Sequence, residues 1–384
     1  MLRSPSLQLA VGTLAVAAAM TLACSDGPAS STQGVSMESR QPPPSPTLTP
    51  QTSGTTQRFF AVSPVNSRVV WASAAGGTFA RTTNGGRTWT SRVVPGAETL
   101  QFRDVEGVSE KVAYLLSAGE GSANRIYKTT DGGRKWKLQF QAGADPRFFY
   151  DCFDFWSPDR GITFADAVNG RFPVIKTTDG ETWRDIGNQL PAAQAGEAGF
   201  AASGTCIKTE GRDRAWIGTG GGAKARILAT TNGGRSWTSH DVPILQGTPA
   251  SGVVSVDFRD RSHGILGGGD VGASTVPQNN VARSSDGGHT WIQATSTPFK
   301  GAVYGLSYVP SRKRTVVATG PGGAAWTANE GDTWSLLPGV ANFWAVGFAN
   351  QGTGWLVGGD GTIMRIDFSG GRRDEHGDDE NHAN

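Results

Sequence analysis

The amino-acid sequence predicts an all-β fold, a seven-bladed β-propeller, with six blades as the alternative count. Three observations carry that expectation. First, one turn motif recurs six times, as TTNGGRTW (82–89), TTDGGRKW (129–136), TTDGETW (177–183), TTNGGRSW (230–237), SSDGGHTW (284–291) and TANEGDTW (327–334). Its closing tryptophans, Trp89, Trp136, Trp183, Trp237, Trp291 and Trp334, are spaced by 47, 47, 54, 54 and 43 residues, a blade-like period. Second, 54 glycines and 12 tryptophans with only 18% charged residues suit short strands and tight turns rather than helices. Third, the chain after the last motif holds three strand-like segments, Phe343–Phe348, Gly354–Val357 and Thr362–Ile366, and no fourth. The segment Leu48-Thr49-Pro50-Gln51, ahead of the first blade, supplies the missing strand and removes the open edges of the ring.

Each blade reads around its motif. In the second, Phe102–Val108 is the inner strand, Val112–Ser117 the next, Arg125–Thr130 the third and Lys135–Phe140 the outer. At the turn, Asp or Asn accepts hydrogen bonds from nearby backbone N–H groups, glycine supplies positive φ, and the tryptophan packs into its blade. These residues resemble the Asp-box, or bacterial neuraminidase repeat, which joins the third and fourth strands of a blade. A feature repeated in every blade serves the blade, so Asp131, Asp179 and Asp286 are read as structural. The basic residues before the boxes, Arg81, Lys128, Lys176 and Arg283, are read as packing or cation–π partners.

The segments QTSGTTQRFFAVSPVNSRVVWAS with GGTFARTTNGGRTW, FYDCFDFWSPDRGITFAD, GFAASGTCIKT and HGILGGGD resemble the photosystem II stability/assembly factor family and its bacterial relatives. The resemblance runs over about residues 47–368. It implies the propeller and, as an expectation, an assembly-factor role rather than an enzymatic one.

The ends stand apart from the fold. Residues 1–23 read as a signal peptide, with an apolar run from Leu7 to Ala23. Thr21-Leu22-Ala23-Cys24 resembles a lipobox, which makes Cys24 the expected lipidation site of a bacterial lipoprotein; ordinary cleavage after Ala23 is the alternative. Residues 24–46 read as a Pro/Ser-rich spacer and 369–384 as a charged tail. An exported chain permits a disulfide. Cys152 falls in the inner strand of blade three and Cys206 near that of blade four, so the two are a candidate pair, with two separate buried thiols as the alternative.

The irregular insertions, Gly187–Gly199, Asp241–Gly252 and Gly268–Asn280, all fall on the face away from the box turns. The channel mouth on that face is therefore the expected binding site. Arg147, Tyr150, Asp151, Asp154, Asp166, Arg171, Glu197, Asp257 and Asp270 are its candidate residues, with Ser203, Phe148 and Phe149 near them. The alternative for any inner-strand carboxylate is that it satisfies backbone groups or lines a wet channel.

Two functions remain in play. One is a non-catalytic propeller that binds another envelope protein or complex as a monomer. The other is a glycoside hydrolase or glycan-binding propeller, for which Asp151 or Asp154 would pair with Asp257 or Asp270. The Arg-Ile-Pro signature of sialidases is absent before the first box, and Arg171-Phe172-Pro173 is only a faint counterpart. No cofactor or metal is expected, because no dinucleotide or P-loop pattern and no zinc- or haem-type spacing occurs. His240, His263 and His289 lie in different blades and read as surface residues. A net charge of +2 argues against nucleic acid, and a membrane is expected only through the lipid anchor.

Overall fold

The computed structural model describes residues 45–368, apart from 311, 350 and 351. The leader, Cys24, most of the spacer and the tail lie outside the described residues. Twenty-eight strands, β1 to β28 in chain order, form seven four-stranded antiparallel sheets, the blades of a β-propeller. Blades one to six each use four consecutive strands. Their innermost members are β2 (Phe59–Pro64), β6 (Gln101–Gly107), β10 (Tyr150–Ser157), β14 (Ile207–Glu210), β18 (Ser251–Phe258) and β22 (Gly305–Tyr308). Blade seven is composite. It takes β26 (Phe343–Phe348), β27 (Thr353–Gly358) and β28 (Thr362–Asp367), and β1 (Thr47–Thr52) completes it. Leu48 pairs with Ile366 and Pro50 with Met364. Pro50 donates no ladder hydrogen bond and is tolerated because β1 is an outer strand.

The six turns follow the local chemistry of the motif. Asp131 Oδ1 accepts from the N–H groups of Arg134 (3.0 Å) and Lys135 (2.9 Å), and Asn232 Oδ1 does the same for Arg235 and Ser236. The opening Thr or Ser adds a bond that sequence reasoning missed. Its hydroxyl accepts from the second-glycine N–H, as Thr129 does from Gly133 (2.9 Å) and Ser284 from Gly288 (2.9 Å). Gly132 and Gly133 sit at φ +78° and +79°, where a side chain would be strained.

The box tryptophans do not stay within their own blades. Trp136 of blade two packs edge-on against Trp71 and Phe79 of blade one, with ring centroids 6.2 and 5.1 Å apart. Trp183 Nε1 reaches Gln139 Oε1 on the outer strand of the preceding blade (3.2 Å), and Trp334 Nε1 reaches the Thr295 carbonyl (2.9 Å). A blade is only one sheet thick, so a large indole finds a deeper apolar contact in the wedge between two blades than on its own sheet. The hydrophobic clusters lie in the same wedges; one joins Trp71, Phe79 and Val94 to Phe102, Leu115 and Tyr127.

The basic residues ahead of the boxes bridge in the other direction. Lys128 Nζ donates to the Gly180 carbonyl of the next turn (3.0 Å), and Lys176 Nζ donates to that of Gly233 (2.6 Å). Both also lie over aromatic rings, Tyr114 at 5.2 Å and Trp156 at 5.4 Å. Blade seven has no box, yet Arg365 stacks over Trp355 and directs its guanidinium to the Gly85 carbonyl of blade one (3.4 Å). Gln51 on β1 completes the closure. Its Oε1 accepts from Trp89 Nε1 (2.9 Å) and Trp355 Nε1 (3.1 Å), while its Nε2 donates to the Gly85 carbonyl (3.2 Å).

Replacing Gln51 by Leu keeps the bulk but leaves two largely buried indole N–H groups without an acceptor. The expected loss is about 2 kcal/mol or more in urea unfolding. A change near zero would show that the closure does not depend on this side chain.

Candidate functional site

The site is built by a repeated irregularity of the inner strands. Pairing with the second strand slips by one residue in five blades, between Phe59 and Ala61, Phe102 and Asp104, Tyr150 and Cys152, Val253 and Ser255, and Phe343 and Ala345. The residues left over are Phe60, Arg103, Asp151, Val254 and Trp344. A bulge re-aims a side chain out of the regular alternation. All five lie near the starts of their strands, at the channel end away from the box turns.

Blade four departs further. Its inner strand begins only at Ile207, and the preceding Phe200–Thr205 crosses the channel. Ser203 Oγ donates to the Tyr304 carbonyl of blade six (2.6 Å), and Arg103 Nη1 of blade two donates to the Ala201 carbonyl (2.9 Å). Gly204 lies so close to Asp104 that a Cβ there would stand 2.2 Å from the carboxylate. Ala202 packs with Val254, Ala302 and Tyr304. This plug divides the channel. Cys206, at its end, is disulfide-bonded to Cys152 of blade three, with Cα atoms 6.1 Å apart.

Above the plug, on the face away from the boxes, aromatic and basic groups form one cluster, in which Phe60 and Tyr304 are buried, Arg103 and Trp344 are half-buried and Arg58 is exposed. Phe60 and Trp344 meet at 5.3 Å, and Tyr304 and Trp344 at 5.1 Å. The Arg58 guanidinium lies 4.9 Å from the Trp344 ring, and that of Arg103 lies 4.0 Å from the Phe60 ring. Among the described residues neither arginine has a carboxylate within salt-bridge distance. Burial and the neighbouring Arg58 pull the Arg103 pKa down to about 10. The Trp344 Nε1 is buried without an acceptor.

Beside this cluster, Asp151 and Asp166 face each other, and Asp151 Oδ2 is buried without a hydrogen-bond partner. Burial, then the opposing Asp166 carboxylate, raises Asp151 well above the usual range; burial pushes Asp166 up to about 6. Asp166 Oδ1 accepts from the Gly199 N–H (2.9 Å) and so seats the start of the plug.

The other candidates separate. Asp154 and Asp257 lie in the opposite half of the channel, the half nearer the box turns, and each bridges backbone groups. Asp154 accepts from Phe155 and Thr209 N–H, and Asp257 from Phe258 and Tyr308 N–H. Asp104 does the same for Val105 and Phe153. Inner strands of neighbouring blades splay too far apart for a ladder, and these carboxylates fill the gap. Asp257 also pairs with Lys208 (3.0 Å). These groups line a cavity of about 290 Å³, in which burial and Asp154 push Glu106 up to about 8.

Glu197 is buried inside blade four, bound by Arg226, Thr219 and the Gln194 N–H. Asp270 braces its own loop through Gly272 and Thr248. Arg147 is paired with Asp145 and Arg171 with Asp185. Those two arginines and Tyr150, whose ring packs on Phe140, belong to the rim between blades two and three rather than the mouth. Of the nine candidates, Asp151, Asp166 and Asp270, whose neighbour Val271 accepts from Tyr304 Oη (3.2 Å), stand at the mouth. Arg58, Phe60, Arg103, Tyr304 and Trp344 were missed. A bulge is invisible to period-two alternation, although the doubled aromatics Phe59-Phe60 and Phe343-Trp344 mark two of them. Among the described residues no three His, Cys, Asp or Glu side chains converge as metal ligands. His240 and His289 do meet, edge to face at 5.0 Å.

No protein-family model matches the chain, and no curated protein does. Comparison with solved structures is informative. The fold is YCF48-like. A structure of YCF48 bound to D1 peptide superposes with TM-score 0.60 at 16% identity, covering 83% of this chain and 96% of that one. YCF48 from Cyanidioschyzon merolae gives 0.57 at 16% identity, covering 83% and 98%. The GH74 xyloglucanase from Xanthomonas campestris gives 0.56 at 11% identity, covering 83% of this chain and 53% of its own. At these identities the likeness establishes a shared propeller.

Two outcomes follow. Asp166 titrates higher in the fold than the value near 3.9 of a free carboxyl. The unfolded chain therefore loses its proton first, and stability is complete below about pH 4 and falls as pH rises through about 6. Asp166→Asn should flatten part of that fall; an unchanged slope over the window in urea titrations would exclude this group. Cys152 and Cys206, 54 residues apart, should resist alkylation in denaturant until reduced. Cutting that loop should cost about 4 kcal/mol in the chain-entropy model. Two thiols alkylated without reduction would contradict the bond.

Proposed function

We propose that this protein is a non-catalytic, exported docking module that binds a segment of another envelope protein at the plugged channel mouth. The observation that carries this reading is the group of Arg58, Arg103 and Trp344, which reach solvent over the buried rings of Phe60 and Tyr304. Aromatic rings and arginines free of carboxylate partners are the residue types that dominate protein–protein anchors. The structure of YCF48 bound to D1 peptide supports it by analogy of fold.

The hydrolase reading has the xyloglucanase likeness behind it but weaker chemistry. Glycoside hydrolysis needs two carboxyl groups about 5–10 Å apart and free to reach a sugar. Asp151 is buried against Asp166, while Asp154 and Asp257 are engaged by backbone N–H groups. Asp-box turns and an N-terminal lipid at Cys24 belong to the same proposal. The propeller's described ends, near Thr47 and Phe368, lie on the face of the box turns.

The test is capture of envelope proteins by the full chain and by Arg58→Ala/Arg103→Ala/Trp344→Ala. The triple variant should lose a partner more than tenfold while Lys300→Ala retains it. Equal capture by both would remove the mouth from the account. Release of reducing sugar from xyloglucan, abolished by Asp151→Asn, would establish the hydrolase instead.

A further inference from the structure

We infer that the box-turn face is a second interaction surface, one that rests on an anionic lipid bilayer. The net charge of +2 conceals a strong difference between the two faces of the disc. In an antiparallel blade, the loop between the first two strands and the turn between the last two lie on the same face. The first kind of loop carries exposed Arg68, Lys111, Arg212 and Lys313; the second carries exposed Arg87, Arg134, Lys135 and Arg235. Among the described residues none of these eight has a carboxylate within salt-bridge distance.

The acidic groups of that face are mostly engaged. Asp131, Asp179 and Asp286 accept backbone N–H bonds within their own turns and keep their charge. Glu181 is held by Lys128 and Lys137, and Glu330 by Arg259 and Arg314. Glu110, Asp159 and Asp213, the last 3.6 Å from Arg160, are left to oppose the eight cations. On the other face the charges balance, with Arg58, Arg103, Lys224 and Lys300 offset by exposed Glu98, Glu120, Asp241 and Asp360.

Chain geometry favours a membrane over a soluble acidic partner. Thr47 pairs with Asp367, and the Phe368 carbonyl accepts from Arg312 in a loop of the box face. Both ends of the propeller therefore leave on the basic side. Arg87 and Arg134 also have their Nε atoms fixed on the Asn84 and Asp131 carbonyls, which holds the guanidinium tips outward at little further entropic cost. Each Lys or Arg brought to an anionic leaflet contributes about 1 kcal/mol, enough for a reversible contact and sensitive to salt.

The unit from Pro43 to Asn384 holds all seven sheets and closes on itself, so it serves as the test piece, free of leader and lipid. It is sedimented with phosphatidylglycerol/phosphatidylcholine vesicles and with pure phosphatidylcholine. Binding should require phosphatidylglycerol and fall at least tenfold in high salt. It should fall at least tenfold in Arg68→Glu/Lys111→Glu/Arg134→Glu/Arg235→Glu and stay unchanged in Lys224→Glu/Lys300→Glu, with both variants melting as the parent does. Equal binding to neutral vesicles, equal loss in both variants, or tighter binding to soluble polyglutamate than to vesicles of the same charge would overturn the inference. Partner capture at the mouth is independent of all these readouts.

Discussion

Everything in this propeller depends on each blade being unable to satisfy itself. A four-stranded sheet buries neither face alone, and its inner strand is splayed away from its neighbour's. The chain answers with contacts that always cross to the adjacent blade. Box tryptophans reach back, basic residues reach forward, and inner-strand carboxylates cap the next strand's N–H groups. Such a chain of dependencies is stable only if it has no first and last member. That makes the pairing of β1 with β28 the condition for the rest, and it explains why Gln51 and Arg365 imitate box contacts in a blade that has no box.

The same constraint explains where function can reside. Groups that hold blades together are occupied, so Asp104, Asp154 and Asp257 are poor candidates for chemistry despite their place in the channel. What remains free is what departs from the repeat. The bulges aim extra side chains at one mouth, and the irregular start of blade four closes that mouth with a plug held by Asp166 and the Cys152–Cys206 bond. The outcome is a mouth where Arg58, Arg103 and Trp344 reach solvent over buried rings, with a cavity lined by carboxylates on the opposite side of the plug.

The fold was legible because the motif has a fixed chemical job at each copy. Asp, Gly and Trp at set offsets mark the turns, and the orphan strands after Trp334 marked the closure. The site was far less legible. Asp154 and Asp257 look like free channel carboxylates in a sequence, since the N–H groups they serve belong to strands some 50 residues further on. Arg103 looks like an ordinary strand residue, and beside Phe60 and Trp344 only a doubled aromatic hints at the one-residue slip in pairing. Trp136 was expected inside its own blade for the same reason: a single sequence does not show which sheet lies beside which.

The central claim is that the ring stands or falls as one unit through its closure. Native-state hydrogen exchange on the 43–384 unit tests it most directly, comparing backbone amides of β28, which β1 covers, with those of β18 in the middle of the chain. If closure governs the ring, the slowest amides of both strands exchange with the same free energy, equal to that of global unfolding. If those of β28 open at markedly lower free energy while β18 stays protected, the composite blade is an appendage, and the blade-to-blade account of this propeller is wrong.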